Sequence, residues 1–292
     1  MSRWVRLLVA LIVLGSLSTI AQENPLELSM AGGRALVEGK LAEAERLFQE
    51  ALALDAELPV VWLGLAEVRE RQGRPQEALP LARRAQELAP GEAVVHRLVG
   101  RLLARLAADE AALEELARAR QLAPTNPEPY LLSALLLRRD GKASEAVSML
   151  QDALAAGAEA SGVRRELVLL LLAEGRPQEA VTIAEDAVER YPGEAGLELG
   201  MGLALSALPE RRREAPEWLE KALAGGVEQP ARVRFELGTV LLESGQPEAA
   251  RQHLEAASRE MPQLPAVWYR LARARQADGD REGAAAAMDR FR

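Results

Sequence analysis

The sequence predicts an all-helical repeat array, and three observations carry that prediction. A Gly-x-x-x-Glu-Ala segment recurs at Gly39, Gly73, Gly141 and Gly175. Its Ala returns at Ala44, Ala78, Ala112, Ala146 and Ala180, each 34 residues after the last, then at Ala215 and Ala250 after 35 each and at Ala284 after 34. Aromatic residues make up only 3% of the 292 residues, beside 22 Gly and 16 Pro, which argues against a sandwich or barrel built on aromatic and β-branched side chains. A fixed period of this length marks supersecondary units that cannot bury their apolar faces alone and must stack.

Eight units fill the chain after residues 1–21, at about 25–58, 59–92, 93–126, 127–160, 161–194, 195–230, 231–264 and 265–292. The second unit shows the local logic. Trp62, Leu65 and Ala66 belong to a first helix that Gly73 ends, since a left-handed cap suits Gly. Pro75 opens a second helix, where a missing N–H costs little. Ala78 and Ala85, two turns apart on one face, admit a neighbouring helix, and Leu65, Leu81 and Leu88 supply the apolar stripe. Pro90 stops the helix. The second small residue recurs as Ala51, Ala85, Ala119, Ala153, Ala187, Ala222 and Ala257, and each helix is expected to run roughly 14 residues, or about 20 Å. The sixth unit departs from the pattern: 208–214 replaces the short turn and 224–226 adds a residue, which predicts a protruding loop or a local change of pitch.

Trp62, Leu65, Ala66, Gly73, Ala78, Ala82, Ala85 and Pro90, repeated as Trp268, Leu271, Ala272, Gly279 and Ala284 and begun at Tyr130 in the fourth unit, resemble the tetratricopeptide repeat. That resemblance covers about Pro25 to the C-terminus and implies a right-handed α-solenoid of about eight helix-turn-helix units, with the first helices lining a concave groove. Trp62, Tyr130 and Trp268 are then expected to be core keystones.

Residues 1–6 carry Arg3 and Arg6, residues 7–14 are wholly apolar, and residues 15–21 turn small and polar. This is the pattern of a Sec-type signal peptide. Thr19-Ile20-Ala21 predicts cleavage after Ala21, with residues 16–18 as the alternative. The apolar stretch of about 14 residues is shorter than the roughly 20 a spanning helix needs, so an uncleaved anchor ranks second. No Cys follows to carry a lipid. The expectation is a periplasmic or secreted protein with no stable membrane insertion after cleavage. Formal charge is -8; without Arg3 and Arg6, 34 basic residues face 44 acidic ones and leave -10. Such a chain repels phosphate backbones, so no nucleic-acid partner is expected.

Enzyme chemistry is short of residues. There is no Cys, and His96 and His253 are the only imidazoles, several units apart, so no metal site, cofactor or thiol nucleophile is expected. His96 stands where other units carry Trp or Tyr and reads as a packed His. Gly196-x-x-x-Gly200-x-Gly202 follows no strand and reads as close helix packing rather than a dinucleotide loop. Glu67, Glu70, Glu114 and Glu115 are expected on solvated helix faces, with no pair of carboxylates enclosed for acid–base work.

The resemblance directs attention to the groove positions of the first helices. They hold Arg97, Arg101 and Arg105 in the third unit, Leu131, Leu135, Arg138 and Arg139 in the fourth, and Arg165 and Leu169 in the fifth. Leu199 and Leu203 follow in the sixth, Phe235 and Leu242 in the seventh, and Tyr269 in the eighth. Six Arg on an acidic chain have two readings: capture of acidic groups on a ligand, since guanidinium pairs bidentately with carboxylates, or neutralisation of Glu on adjacent second helices. No Asn occupies these positions, so the carboxylate clamp of some relatives is not matched. The leading expectation is a non-catalytic exported scaffold whose groove binds a peptide or helical segment of a protein partner, acidic in character. The alternative is an accessory of cell-envelope polysaccharide export or assembly that binds an anionic glycan. The last unit lacks a polar capping helix, which predicts self-association there.

Overall fold

The computed structural model describes residues 24–292; the expected signal peptide lies outside the described residues. All regular structure among them is helical. In chain order the helices are α1 (Pro25–Val37), α2 (Leu41–Leu54), α3 (Pro59–Arg71), α4 (Pro75–Leu88), α5 (Ala93–Arg105), α6 (Asp109–Leu122), α7 (Pro127–Arg139) and α8 (Ala143–Ala155). They continue with α9 (Ser161–Ala173), α10 (Pro177–Arg190), α11 (Ala195–Ser206), a 3-10 turn at Arg212–Glu214, α12 (Ala215–Ala224), α13 (Pro230–Glu243), α14 (Pro247–Glu260), α15 (Pro265–Ala277) and α16 (Arg281–Phe291). None of them is long and apolar enough to cross a membrane.

The chain divides into two compact units, one ending at Pro124 and one spanning Thr125–Arg292. In the first, α1–α2, α3–α4 and α5–α6 are hairpins, and each hairpin packs on the next through its second helix while the first helices α1, α3 and α5 also touch in order. The second unit repeats this scheme with α7–α8, α9–α10, α11–α12, α13–α14 and α15–α16, and α7, α9, α11, α13 and α15 pack in succession.

The two alanine series explain why the helices approach closely. Ala44, Ala78, Ala112, Ala146, Ala180, Ala215 and Ala250 are all fully buried, as are Ala51, Ala85, Ala119, Ala153, Ala187, Ala222 and Ala257. A third position completes the interlock. A Cβ added at Gly100 would stand 2.8 Å from Leu116 Cγ, one at Gly202 2.7 Å from Leu219 Cγ, and one at Gly238 2.6 Å from Leu254 Cγ. Gly32 and Gly64 together receive the buried ring of Phe48, at 3.0 and 2.3 Å. Where the first helix lacks a side chain, the second helix fills the notch with a large one, which conserves volume in a close-packed interior. The Gly196–Gly202 stretch belongs to this system: Gly196 lies under Arg165 and Gly200 under Val168. These glycines let helices pack closely, as the sequence predicts.

The tight turns are local. Gly73 has φ of 75°, the left-handed cap expected of it. One period later Ala107 takes the same turn with φ of 58°, the one non-glycine with positive φ among the described residues. Left-handed backbone costs an L residue roughly 1–2 kcal/mol, so the third repeat carries strain that the six repeats with Gly at this turn avoid.

The keystone positions differ from expectation. Tyr130 is buried, but Trp62 and Trp268 are half-buried. Each indole Nε1 donates to a carbonyl six residues earlier, Ala56 O and Pro262 O, both at 2.8 Å. His96 makes the same link, Nε2 to Pro90 O at 3.0 Å. The position thus fixes the entry of the first helix to the preceding turn, a role that needs a ring N–H and tolerates partial exposure. The sixth unit's long connection does not protrude freely: Arg212 donates to Ser206 O at 3.0 Å and pairs with Glu243 at 3.2 Å.

Candidate functional site

In the first unit the structure brings Arg101 and Arg105 to one carboxylate. Arg101 Nε and Nη2 donate to Glu70 at 3.1 and 2.9 Å, a bidentate pair, and Arg105 Nη1 reaches Glu70 Oε1 at 3.4 Å. Glu67 adds a longer contact to Arg101 at 4.0 Å. Glu70 is 7% exposed, which corrects its expected place on a solvated face. The neutralising Glu also sits on the neighbouring first helix, α3, and not on a second helix. The cause is geometric. Residue 70 lies 31 positions before Arg101 and 35 before Arg105, so it is about one period away and on the facing side of the adjacent first helix. Arg97 is half-buried and also has a partner.

Glu115 corrects the same expectation. It is half-buried between hairpins, accepting from Gln86 Nε2 at 2.7 Å, from Arg83, and from His96 Nδ1 at 2.7 Å. Burial raises its pKa, but the bonds from His96, Arg83 and Gln86 outweigh that and hold the carboxyl below the ordinary range. This is a structural clasp joining α4, α5 and α6.

In the second unit, Arg138 pairs with Glu166 of α9 at 2.8 Å, and Arg139 is likewise engaged. Arg165 differs: it is exposed, packs its stem over Gly196, and has no ion pair among the described residues. Leu131, Leu169, Leu199, Leu203, Phe235 and Leu242 are half-buried on successive first helices, while Leu135 and Tyr269 are 46% and 39% exposed. Tyr269 stacks obliquely on Phe291, ring centroids 5.4 Å apart. The six Arg therefore do not form one free cationic row, as capture of a polyanion would require. Of the six, Arg165 alone has no ion pair among the described residues, and it lies on a first helix beside accessible apolar surface.

Two features escaped the reading of groove positions. An open cavity of about 510 Å³ lies at the start of α13, lined by Phe235, Met261 and Leu264 with Glu228 and Glu236. Burial pushes the Glu236 carboxyl above its usual range, only partly offset by Arg232 and Arg270. On α1, Leu26, Met30 and Val37 are exposed at 52%, 64% and 82%. Their helical spacing was legible, whereas the cavity draws residues from three segments and had no periodic signal.

No group of three or more His, Cys, Asp or Glu able to hold a metal occurs among the described residues. Stacked helical hairpins with an accessible first-helix face define an interaction scaffold of the α-repeat class. Tetratricopeptide repeat profiles match residues 35–102, 131–195 and 241–291, more than half of the chain. The chain belongs to the tetratricopeptide repeat family. A TPR repeat-containing protein of Pseudomonas aeruginosa is 44% identical over 73 residues, which are 25% of this chain and 69% of that one. Among solved structures, a tetratricopeptide repeat protein from Parabacteroides merdae superposes with a TM-score of 0.56 at 18% identity, covering 86% of this chain and 98% of its own. PilF of Pseudomonas aeruginosa gives 0.60 at 18% identity over 72% of this chain and 94% of its own. These two likenesses concern the fold.

Proposed function

We propose that the protein is an exported, non-catalytic scaffold whose second unit binds a segment of a protein partner on the face lined by its first helices. The observation that carries this reading is the exposure of Leu135 and Tyr269 on that face, with half-buried Leu131, Leu169, Leu199, Leu203 and Phe235 between them. Large apolar side chains at such a face supply the area a bound helix or strand covers. Family membership supports the same role. Selection of an acidic residue falls to Arg165, which among the six has no ion pair in the described residues, because Arg101, Arg105 and Arg138 already have theirs. Export rests on the charge and apolar pattern of residues 1–21.

The test is capture from an envelope extract by wild type and by a Leu135→Asp/Arg165→Glu double variant, with bound proteins identified by mass spectrometry and folding checked by circular dichroism. A specific protein held by wild type and lost by the folded variant is the expected result. Equal capture by both would move the site off this face. Because exposed charge pairs are screened, raising salt from low to physiological strength should weaken the Arg165 contribution and leave the apolar part.

A further inference from the structure

We propose that the cavity at the start of α13 takes a lysine or arginine side chain of the peptide bound on the first-helix face of the second unit; this rests on the protein-segment reading above. Its walls and its charge point the same way. Pro230, Phe235, Met261 and Leu264 form apolar walls, and Leu264 is 38% exposed with nothing in the fold covering it. Glu228 and Glu236 stand in the same cavity, and among the described residues neither has a hydrogen bond or ion pair. Glu260 also lines it but is satisfied by Arg234 at 2.7 Å.

Arg232 is the remaining charged group, and it is exposed. Two unpaired carboxylates against one guanidinium leave the cavity with one negative charge. The matching ligand is a single cation on an apolar stem. Lysine and arginine have that form: their methylenes lie along apolar surface while the charged head finds acceptors. The volume is within the range of pockets that enclose small ligands, about 300–1,000 Å³, and exceeds what one side chain fills, so the flanking residues of the peptide enter as well.

Burial works in favour of the same ligand. Glu236 is largely desolvated and has no bonded counter-ion, and Arg232 and Arg270 offset its burial only in part; that is a costly state for a carboxylate, and an ammonium or guanidinium arriving in the cavity relieves the rest of the cost. A neutral or acidic side chain would leave it in place.

The experiment uses the full chain labelled with ¹³C at the methionine methyls, so that Met261 reports from the cavity wall and Met201, buried in α11, serves as control. N-acetyl-Leu-Arg-Leu amide is titrated beside its citrulline analogue, in which the guanidinium is replaced by a neutral urea, and beside free agmatine. The expected result is a saturable shift of Met261 with the arginine peptide and a loss of about tenfold in affinity with citrulline, the scale of one charge-assisted bond. Glu228→Gln/Glu236→Gln should abolish the difference between the two peptides, while Leu264→Ala should weaken both alike.

Equal binding of both peptides to wild type would overturn the cationic class. Agmatine binding as tightly as the peptide would overturn the peptide and leave a site for small free cations. Shifts confined to other methionines, or none at all, would overturn the cavity as the docking point without touching the scaffold reading, which stands or falls on capture through Leu135 and Arg165.

Discussion

In the unit ending at Pro124, Arg101 and Arg105 close on Glu70, a nearly buried carboxylate of the adjacent first helix. In the unit from Thr125 onward, Glu228 and Glu236 stand beside an open cavity with no ion pair. Both arrangements put charge on or beside first helices, yet one is structural and the other is left for a ligand. The difference lies in what the next repeat offers. Glu70 finds guanidinium groups 31 and 35 residues later; at the same separations after Glu236 stand Val267 and Leu271, both buried and apolar, and Arg270, 34 residues later, is bonded to Glu243 at 3.1 Å and only partly offsets the burial of Glu236. A charged residue in a repeat protein is thus committed or free according to its neighbours about one period away, and not according to its own identity.

The largest effect expected from breaking this contrast is at Glu70. Glu70→Ala should destabilise the protein by about 2 kcal/mol, less than the loss for a fully buried pair because Arg105 is half-exposed. A Glu70→Met/Arg101→Met double variant should recover much of the loss, and a thermal double-mutant cycle checks both. If Glu70→Ala leaves the melting temperature unchanged, the Arg cluster is not structural and returns as a ligand site.

Packing, by contrast, should be equivalent in the two units. Gly100→Ala and Gly238→Ala each set a methyl against a buried Leu, and after the gain in helix propensity the net loss should be about 1 kcal/mol in either case. Shortening the facing side chain, as in Gly100→Ala/Leu116→Ala, should not restore wild-type stability but should make the two losses non-additive. A loss confined to one unit would show that the interlock is not common to both.

Ala107→Gly should act in the opposite direction, stabilising the first unit by up to about 1 kcal/mol through relief of the left-handed Ala. Denaturant midpoints measure it, and a loss of stability would mean the methyl contributes more than the backbone strain costs.

The smallest effect concerns Glu236. Its pKa is raised in the folded state, so the proton binds the native form more readily than the unfolded one. The stabilisation from that proton is present at low pH and disappears as pH rises through the raised value. Glu236→Gln should therefore be neutral or stabilising by a few tenths of a kcal/mol at pH 7 and should flatten the pH dependence of stability just above the ordinary carboxylate range. A Glu236→Gln loss comparable to that of Glu70→Ala would erase the contrast between the units.

The period of 34, the two alanine series, the proline starts and the glycine turns were all readable without coordinates, because each follows from backbone geometry within a hairpin and its nearest neighbour. Even the strain at Ala107 was legible in principle, since the third repeat lacks Gly where six others have it, at Gly39, Gly73, Gly141, Gly175, Gly245 and Gly279. Groove positions could be listed from the pattern, but not which Arg would be free. A long side chain chooses among several acceptors on adjacent helices, and Glu70, Glu115 and Glu166 look alike in sequence until their burial is known.

The sequence by itself determined the all-helical repeat and the interfaces that small residues allow, since close approach depends on residue size at fixed intervals. Only the tertiary structure decided that Arg101 and Arg105 pair with Glu70, that Arg165 makes no ion pair among the described residues, and that residues from 228 to 264 line a cavity. These outcomes depend on side-chain reach and desolvation between segments, which no local period encodes.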